Sequence, residues 1–304
     1  SYTFREWLEE HTDNQNVINL FQGFCAALMG TNLHEIPAGE FFRFLAYSSR
    51  GSRFGMTVNG NGELMEALAQ SIEDRGSRIL RRTTCRKICV EAGRATGVLV
   101  KSKARGEEFF GSDYVLSNTG PDRTVVLAGG RDMFDANYLA KLDEFPHEAP
   151  IFHISFVTDE PLIDDFDGCL VFGNNRNLIY LEIPSLISPD VSPPGRYLHT
   201  AFGAPADAAN ADLKKELENT LRELEENFPG KLVDAEFLVK ARHSGEGPGM
   251  HRWAGHMMPV TTSIGNLFNV GDGSTSPGTL GTEGAAASAR EAARLIVSAN
   301  EPPG

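Results

Sequence analysis

One stretch of this chain, Asn266–Ile296 with the sequence NLFNVGDGSTSPGTLGTEGAAASAREAARLI, constrains the fold more than any other. It reads as a short buried strand (Leu267, Phe268, Val270), then a glycine-rich turn (Gly271, Asp272, Gly273, Pro277 to Gly281), then an alanine-rich helix starting near Thr282. A strand that feeds a glycine loop and opens a helix presents backbone N–H groups and a helix dipole to an anionic ligand. Glycine is required there because a ligand reaches the backbone only where no Cβ intervenes. Close packing of helix on strand produces the same pattern, so the stretch has to be read with the rest of the chain.

At 304 residues and 41% hydrophobic, the chain can bury a sizeable core as one large or two ordinary domains. Its 28 Lys and Arg against 41 Asp and Glu leave a formal charge of −13, which repels phosphate backbones and argues against a nucleic-acid partner. No apolar run approaches the ~20 residues that span a bilayer, and SYTFREWLEE has neither the basic start nor the apolar core of an export signal. The expectation is a soluble, cytoplasmic protein. Cys25, Cys85, Cys89 and Cys169 lack the paired spacing of a metal site, so they read as buried thiols and no metal is expected.

Along the chain, Val17, Ile18, Leu20, Phe21, Phe24, Cys25 and Leu28 recur at helical spacing after the cap candidates Asp13 and Asn14. A second helix follows Pro37 and carries Phe41, Phe42, Phe44 and Leu45, a density that suits either core or the wall of a lipophilic site. From Phe54 the pattern changes to a strand, a glycine turn at 59–62, and a helix closing at Gly76 with Leu64, Leu68 and Ile72 on its inner face. Residues 86–90 and 96–100 form a hairpin across Glu91–Arg94. A further strand, 113–116, runs into Ser117-Asn118-Thr119-Gly120-Pro121, where a ligand can lie over the carboxyl ends of a sheet. The middle region reads as strands at 151–157, 178–183 and 197–202 and a helix between Ala208 and Phe228 striped by Leu213, Leu217, Leu221 and Leu224. His153, within an apolar strand, reads as a core histidine.

Three of these segments, the 55–100 run, the turn at 117–121 and the 266–296 stretch, resemble in order and spacing the FAD-dependent oxidoreductases of the phytoene desaturase and flavin amine oxidase type. The resemblance implies an α/β (α+β) fold in which a partial FAD-binding domain is interleaved with a sheet-plus-helices substrate domain. It assigns 1–53 and 122–262 to the substrate domain, and 54–121 and 263–304 to the FAD domain. It also implies site roles. Cys85 matches the position whose backbone contacts the adenine of FAD, Ser117 and Asn118 the strand end beside the adenosine half, and Gly271 and Asp272 the pair near the ribityl and pyrophosphate groups. Gly281, Thr282 and Glu283 match a helix start facing the O2 edge of the flavin ring, where a helix dipole stabilises the negative charge of reduction. Ser288-Ala289 stands where the family has Ser-Gly.

The family also has a βαβ unit whose G-x-G-x-x-G turn holds the pyrophosphate, and no such motif occurs in these 304 residues. The expectation is therefore a C-terminal portion of the enzyme, inactive and without FAD alone, whose missing unit lies in the same polypeptide or a partner chain. In this chemistry the flavin accepts a hydride, and the protein orients substrate and excludes water. Catalytic candidates upstream of the flavin loop are His243, His251, Trp253 and His256. The expected substrate is a lipophilic or amine-containing small molecule, the 19 Phe against 2 Trp and 6 Tyr leaning toward an apolar one, with peripheral membrane contact as a further expectation. The alternatives are a flavin amine oxidase and a non-catalytic binding protein on the same fold, similar to the GDP dissociation inhibitors.

Overall fold

Helix starts in this chain follow their caps. Asn14 accepts from the N–H of Asn16 to open a helix at Gln15, Asp135 accepts from Tyr138, and Asp212 accepts from Lys214 and Lys215. The computed structural model describes residues 2–50, 55–144, 148–244 and 252–300. In chain order come α1 (Phe4–Glu9), α2 (Gln15–Met29), α3 (Ala38–Ser48), α4 (Asn61–Glu73), β1 (Thr83–Glu91), β2 (Arg94–Ser102), β3 (Gly106–Gly111) and β4 (Val115–Ser117). Next are α5 (Pro121–Leu127), α6 (Ala136–Asp143), β5 (Ile151–Thr158), β6 (Cys169–Val171), β7 (Leu178–Glu182), the single-turn α7 (Pro184–Ile187) and β8 (Tyr197–Gly203). The chain closes with α8 (Leu213–Asn227), β9 (Glu236–His243), β10 (Leu267–Asn269) and α9 (Gly281–Asn300).

The chain folds as two compact units, Ser1–Ile79 with Glu148–Met250, and Leu80–His147 with His251–Gly304. These limits differ from the pattern changes at 54, 122 and 263. The reason is tertiary. Val125 and Leu127 of α5 and Tyr138 and Leu142 of α6 bury together with Ile88, Val115 and Leu267, so α5 and α6 belong with the hairpin. Ser188 donates to the Val58 carbonyl, tying the approach to α4 to the first unit.

In the first unit an antiparallel five-stranded sheet runs β6-β7-β8-β5-β9. Ile154, Phe156, Leu178, Leu181 and Ala201 bury against Leu224 of α8 on one face. Phe4 and Phe41 stack at 3.8 Å between α1 and α3, with Phe21 and Phe42 edge-on to Phe4. So Phe41 is core, while Phe42 and Leu45 are exposed. The expected α4 helix is present, but its expected inner face is not buried: Leu64, Leu68 and Ile72 are 44%, 52% and 44% exposed. Amphipathic spacing specifies a face to be covered without naming what covers it. The strand expected before α4 is also absent from 55–60, which form a turn ending at Gly60 (φ +83), and Phe54 lies outside the described residues.

In the second unit β1, β2 and β3 form an antiparallel sheet, and β4 pairs in parallel with β10. The β1–β2 turn places Ala92 and Gly93 at φ +48 and +75, the paired left-handed residues of a tight hairpin. Helix α9 packs Ala292 against Phe268 and Val260. The cysteines are not uniformly buried as expected: Cys25 is, Cys85 and Cys89 are half-buried, and Cys169 is exposed, because one side of each of those strands is open. Among the described residues no three metal-ligating side chains converge, and no helix is long and apolar enough to cross a membrane.

Candidate functional site

Strands β4 and β10 run in the same direction, with Ser117 level with Asn269, so their carboxyl ends finish together. That is where an open parallel sheet offers a crevice. The Val270 N–H donates to the Ser117 carbonyl at 2.9 Å and closes the pair. The chain then reverses at Gly271, whose φ of +98 favours glycine. A Cβ at Gly271 would sit 1.9 Å from Asn118 Oδ1. Its N–H donates to Ser288 Oγ at 2.8 Å, and Ser288 Oγ donates to the Ala285 carbonyl at 2.7 Å. One buried serine of α9 thereby fixes the loop that follows β10. On the neighbouring strand end, Thr124 Oγ1 donates to Ser117 Oγ at 2.8 Å.

Buried polar atoms on both sides of the Gly271 turn lack partners. Asn269 donates through Nδ2 to the Tyr138 hydroxyl at 2.8 Å, yet its Oδ1 has no partner. The hydroxyls of Ser274 and Thr275, 2% and 4% exposed, also have none. A buried polar group left unpaired costs about 1–3 kcal/mol, so Asn269 at the end of β10 and Ser274 and Thr275 in the loop that follows leave polar atoms that a ligand or water can complete. Helix α9 starts beside this loop, since a Cβ at Gly284 would meet Thr275 Cγ2 at 2.7 Å. Its first residues, Gly281, Thr282 and Glu283, are exposed. First-turn N–H groups have no partner inside a helix, and in a 20-residue helix they sit at the positive end of a long dipole.

The structure therefore brings together Ser117, Asn118, Gly271 and Asp272, and sets Gly281, Thr282 and Glu283 on the helix next to them. Cys85 stands on a different sheet, in β1, at a register shift between Cys85 and Lys87, with burial first pushing its thiol pKa up. Of the catalytic candidates, His251 lies outside the described residues, Trp253 is buried, His256 is half-buried, and His243 ends β9 in the first unit. Sequence reasoning missed Arg252. Its guanidinium is 1% exposed and donates from Nε to the His256 carbonyl at 2.6 Å, from one terminal nitrogen to the Leu142 carbonyl at 3.1 Å and from the other to Asp122 Oδ2 at 3.4 Å. Burial lowers its pKa, with Asp122 opposing. An arginine amid Trp253, Ala254, Met257 and Met258 was the available signal, since a charge inside an apolar run needs a fixed partner.

A model of the flavin containing amine oxidoreductases matches residues 1–297. The chain belongs to this family. It is thus an FAD-dependent oxidoreductase by membership, and the unpartnered oxygens of Asn269, Ser274 and Thr275 beside the start of α9 fit part of such a cofactor. The structure is similar to that of an oxidoreductase from Methanosarcina mazei, with 24% identity and a TM-score of 0.87, over 97% of this chain and 68% of that one. It is also similar to a protein from Pyrococcus furiosus, with 22% identity, a TM-score of 0.76, and the same 97% and 68% coverage. At these identities the likeness is one of fold. No curated protein sequence matches the chain significantly.

Proposed function

We propose that this family member dehydrogenates a lipophilic small molecule in the manner of the phytoene desaturases, by hydride transfer to FAD. The observation that carries the reading is the set of buried, unpartnered oxygens at Asn269, which ends β10, and at Ser274 and Thr275 in the following loop, beside the first turn of α9. Bound FAD supplies the two-electron acceptor. This chain's part is to hold and polarise it. Gly271 and Asp272 serve the ribityl and pyrophosphate side, Ser117 and Asn118 the adenosine side with the backbone of Cys85 at the adenine, and the N–H groups of Gly281, Thr282 and Glu283 the charge gained on reduction. Of the catalytic candidates, the half-buried His256 is better exposed to a substrate than Trp253.

A βαβ unit outside these 304 residues, in the same polypeptide or a partner chain, would add the pyrophosphate grip. What supports this is the parallel pair β4–β10 itself. Parallel sheets are stable when covered on both faces and extended by further strands, whereas here two strands of three residues leave Leu116 43% exposed. The lipophilic substrate is supported by the exposed Phe42, Leu45, Leu64, Leu68 and Ile72 of α3 and α4, faces that also suit contact with a neutral lipid surface.

The test is anaerobic mixing of the flavin-loaded protein, completed by its βαβ unit, with phytoene or with benzylamine, following the visible flavin band. Bleaching by the polyene is expected. Bleaching by the amine alone would replace this reading with amine oxidation.

A further inference from the structure

Three pieces of chain that carry the cofactor site meet at one buried side chain, Arg252. Helix α5 begins just past the turn after Ser117, and its Thr124 hydroxyl donates to Ser117 Oγ. Helix α6 reaches the end of β10 through the Tyr138 hydroxyl, which accepts from Asn269 Nδ2. The segment after Arg252 runs beside β10 and its loop. There the Asn269 N–H donates to the Val260 carbonyl at 2.8 Å, and the Met258 N–H donates to the Gly273 carbonyl at 3.0 Å. Gly273 directly precedes Ser274 and Thr275, whose buried hydroxyls are unpartnered.

Arg252 bonds to all three pieces. One terminal nitrogen donates to Asp122 in the first turn of α5, the other to the Leu142 carbonyl in the last turn of α6, and Nε to the His256 carbonyl two residues before Met258. The guanidinium is planar and rigid, so it holds these three acceptors at fixed angles to one another. A single atom group thereby sets where the two helices and the segment stand relative to the loop.

Stability is a poor reason for a charge at this place. Arg252 is 1% exposed, while its counter-ion Asp122 is 59% exposed and 3.4 Å away. Desolvating a charge is costly, and a well-packed apolar side chain of similar volume often leaves a fold as stable or more so. The surroundings suit such a replacement, since Tyr138, Leu142 and Met258 bury together there. What the guanidinium adds is position. Groups that hold a binding site within a fraction of an ångström act through fixed hydrogen bonds from behind it.

We propose that Arg252 is a positioning residue for the cofactor: it fixes residues 256–258 against Gly273 and braces α5 and α6 on them, which keeps the oxygens of Asn269, Ser274 and Thr275 in one arrangement. The inference rests on the FAD reading and adds to it a residue that acts through others.

The test is a calorimetric titration of FAD into the protein supplied with the proposed βαβ unit, at a temperature where far-ultraviolet circular dichroism shows each variant folded. Arg252→Met should bind FAD at least about tenfold more weakly than wild type, the worth of one charge-assisted hydrogen bond. Arg252→Lys keeps the charge and loses the fork, so it should lose a similar factor. Asp122→Asn keeps the side-chain shape at an exposed position and turns a charge-assisted bond into a neutral one. It should lose about threefold, and it serves in place of Arg252→Met if that variant does not fold. Ile88→Ala is the control. It cuts the same core, leaves the bonds of Arg252 in place, and should stay within about twofold of wild type. At saturating FAD the visible circular dichroism of the flavin should depart from wild type in Arg252→Lys and match it in Ile88→Ala. Wild-type affinity and spectrum in Arg252→Lys, wild-type affinity in Asp122→Asn, or a loss in Ile88→Ala as large as in the Arg252 variants would overturn the proposal and leave the FAD reading standing. A wild type that takes up no FAD would overturn the FAD reading and the proposal with it.

Discussion

Gly271 shows how much of the cofactor loop rests on single atoms. Its φ of +98 and its N–H bond to Ser288 Oγ allow the turn after β10 to close. Gly271→Ala forces a side chain into that region, and although the exposed Asn118 can swing away, the backbone strain should cost about 1–3 kcal/mol. Ser288→Ala leaves the same N–H buried and unpaired, at about 1–3 kcal/mol. Urea unfolding of both variants checks these values, and wild-type midpoints would contradict them. His199 gives the pH dependence. It is fully buried, and its Nε2 accepts from the Leu162 N–H at 3.1 Å, so the ring is neutral. Burial pulls its pKa down to about 4, with the Tyr197 and Phe156 carbonyls offsetting part of the effect. The folded pKa therefore lies below the unfolded value of about 6.5, so the unfolded chain takes up the proton first as pH falls. Stability is full above about pH 6.5 and declines toward pH 4, with about 2 kcal/mol lost by pH 5. Urea midpoints should fall between pH 7 and pH 5, and less steeply in His199→Gln; equal slopes would remove His199 as the cause.

Helices α8 and α4 have similar leucine stripes and opposite fates. Leu224 of α8 is 0% exposed within the sheet core, so Leu224→Ala should cost about 2–5 kcal/mol. Leu68 of α4 is 52% exposed, so Leu68→Ala should change stability by less than about 0.5 kcal/mol. Thermal unfolding of the two variants distinguishes them, and a large loss in Leu68→Ala would mean that α4 is covered. Local periodicity made both helices legible, as it did α2, α3, the β1–β2 hairpin and β5, β7 and β8. It could not say which stripe meets a core. Strand β3 escaped because its Phe109 and Phe110 lie on an edge where one is 53% exposed, blunting the alternation. At the site, Gly271, Asp272 and the start of α9 were legible because the strand, glycine loop and helix are contiguous. The pairing of Asn269 with Tyr138, 131 residues apart, and the clamp of Arg252 on Leu142 and Asp122 were not, since nothing local records a long-range partner.

For the whole molecule, the loop proposed for the cofactor lies in the second compact unit. The loop should behave as functional sites do, less stable than it could be in return for affinity. Ser274→Ala with Thr275→Val removes two buried hydroxyls without partners, so the ligand-free protein should be as stable as wild type or more so. Cofactor binding should move the other way. The most direct measurement is a calorimetric titration of FAD into the protein supplied with the proposed βαβ unit, wild type against this double variant. Tight binding by the wild type and a loss of at least about tenfold in the variant, roughly 1.4 kcal/mol, is the predicted result. Equal affinity in both, or a wild type that does not take up FAD, would contradict the assignment of this loop to the flavin.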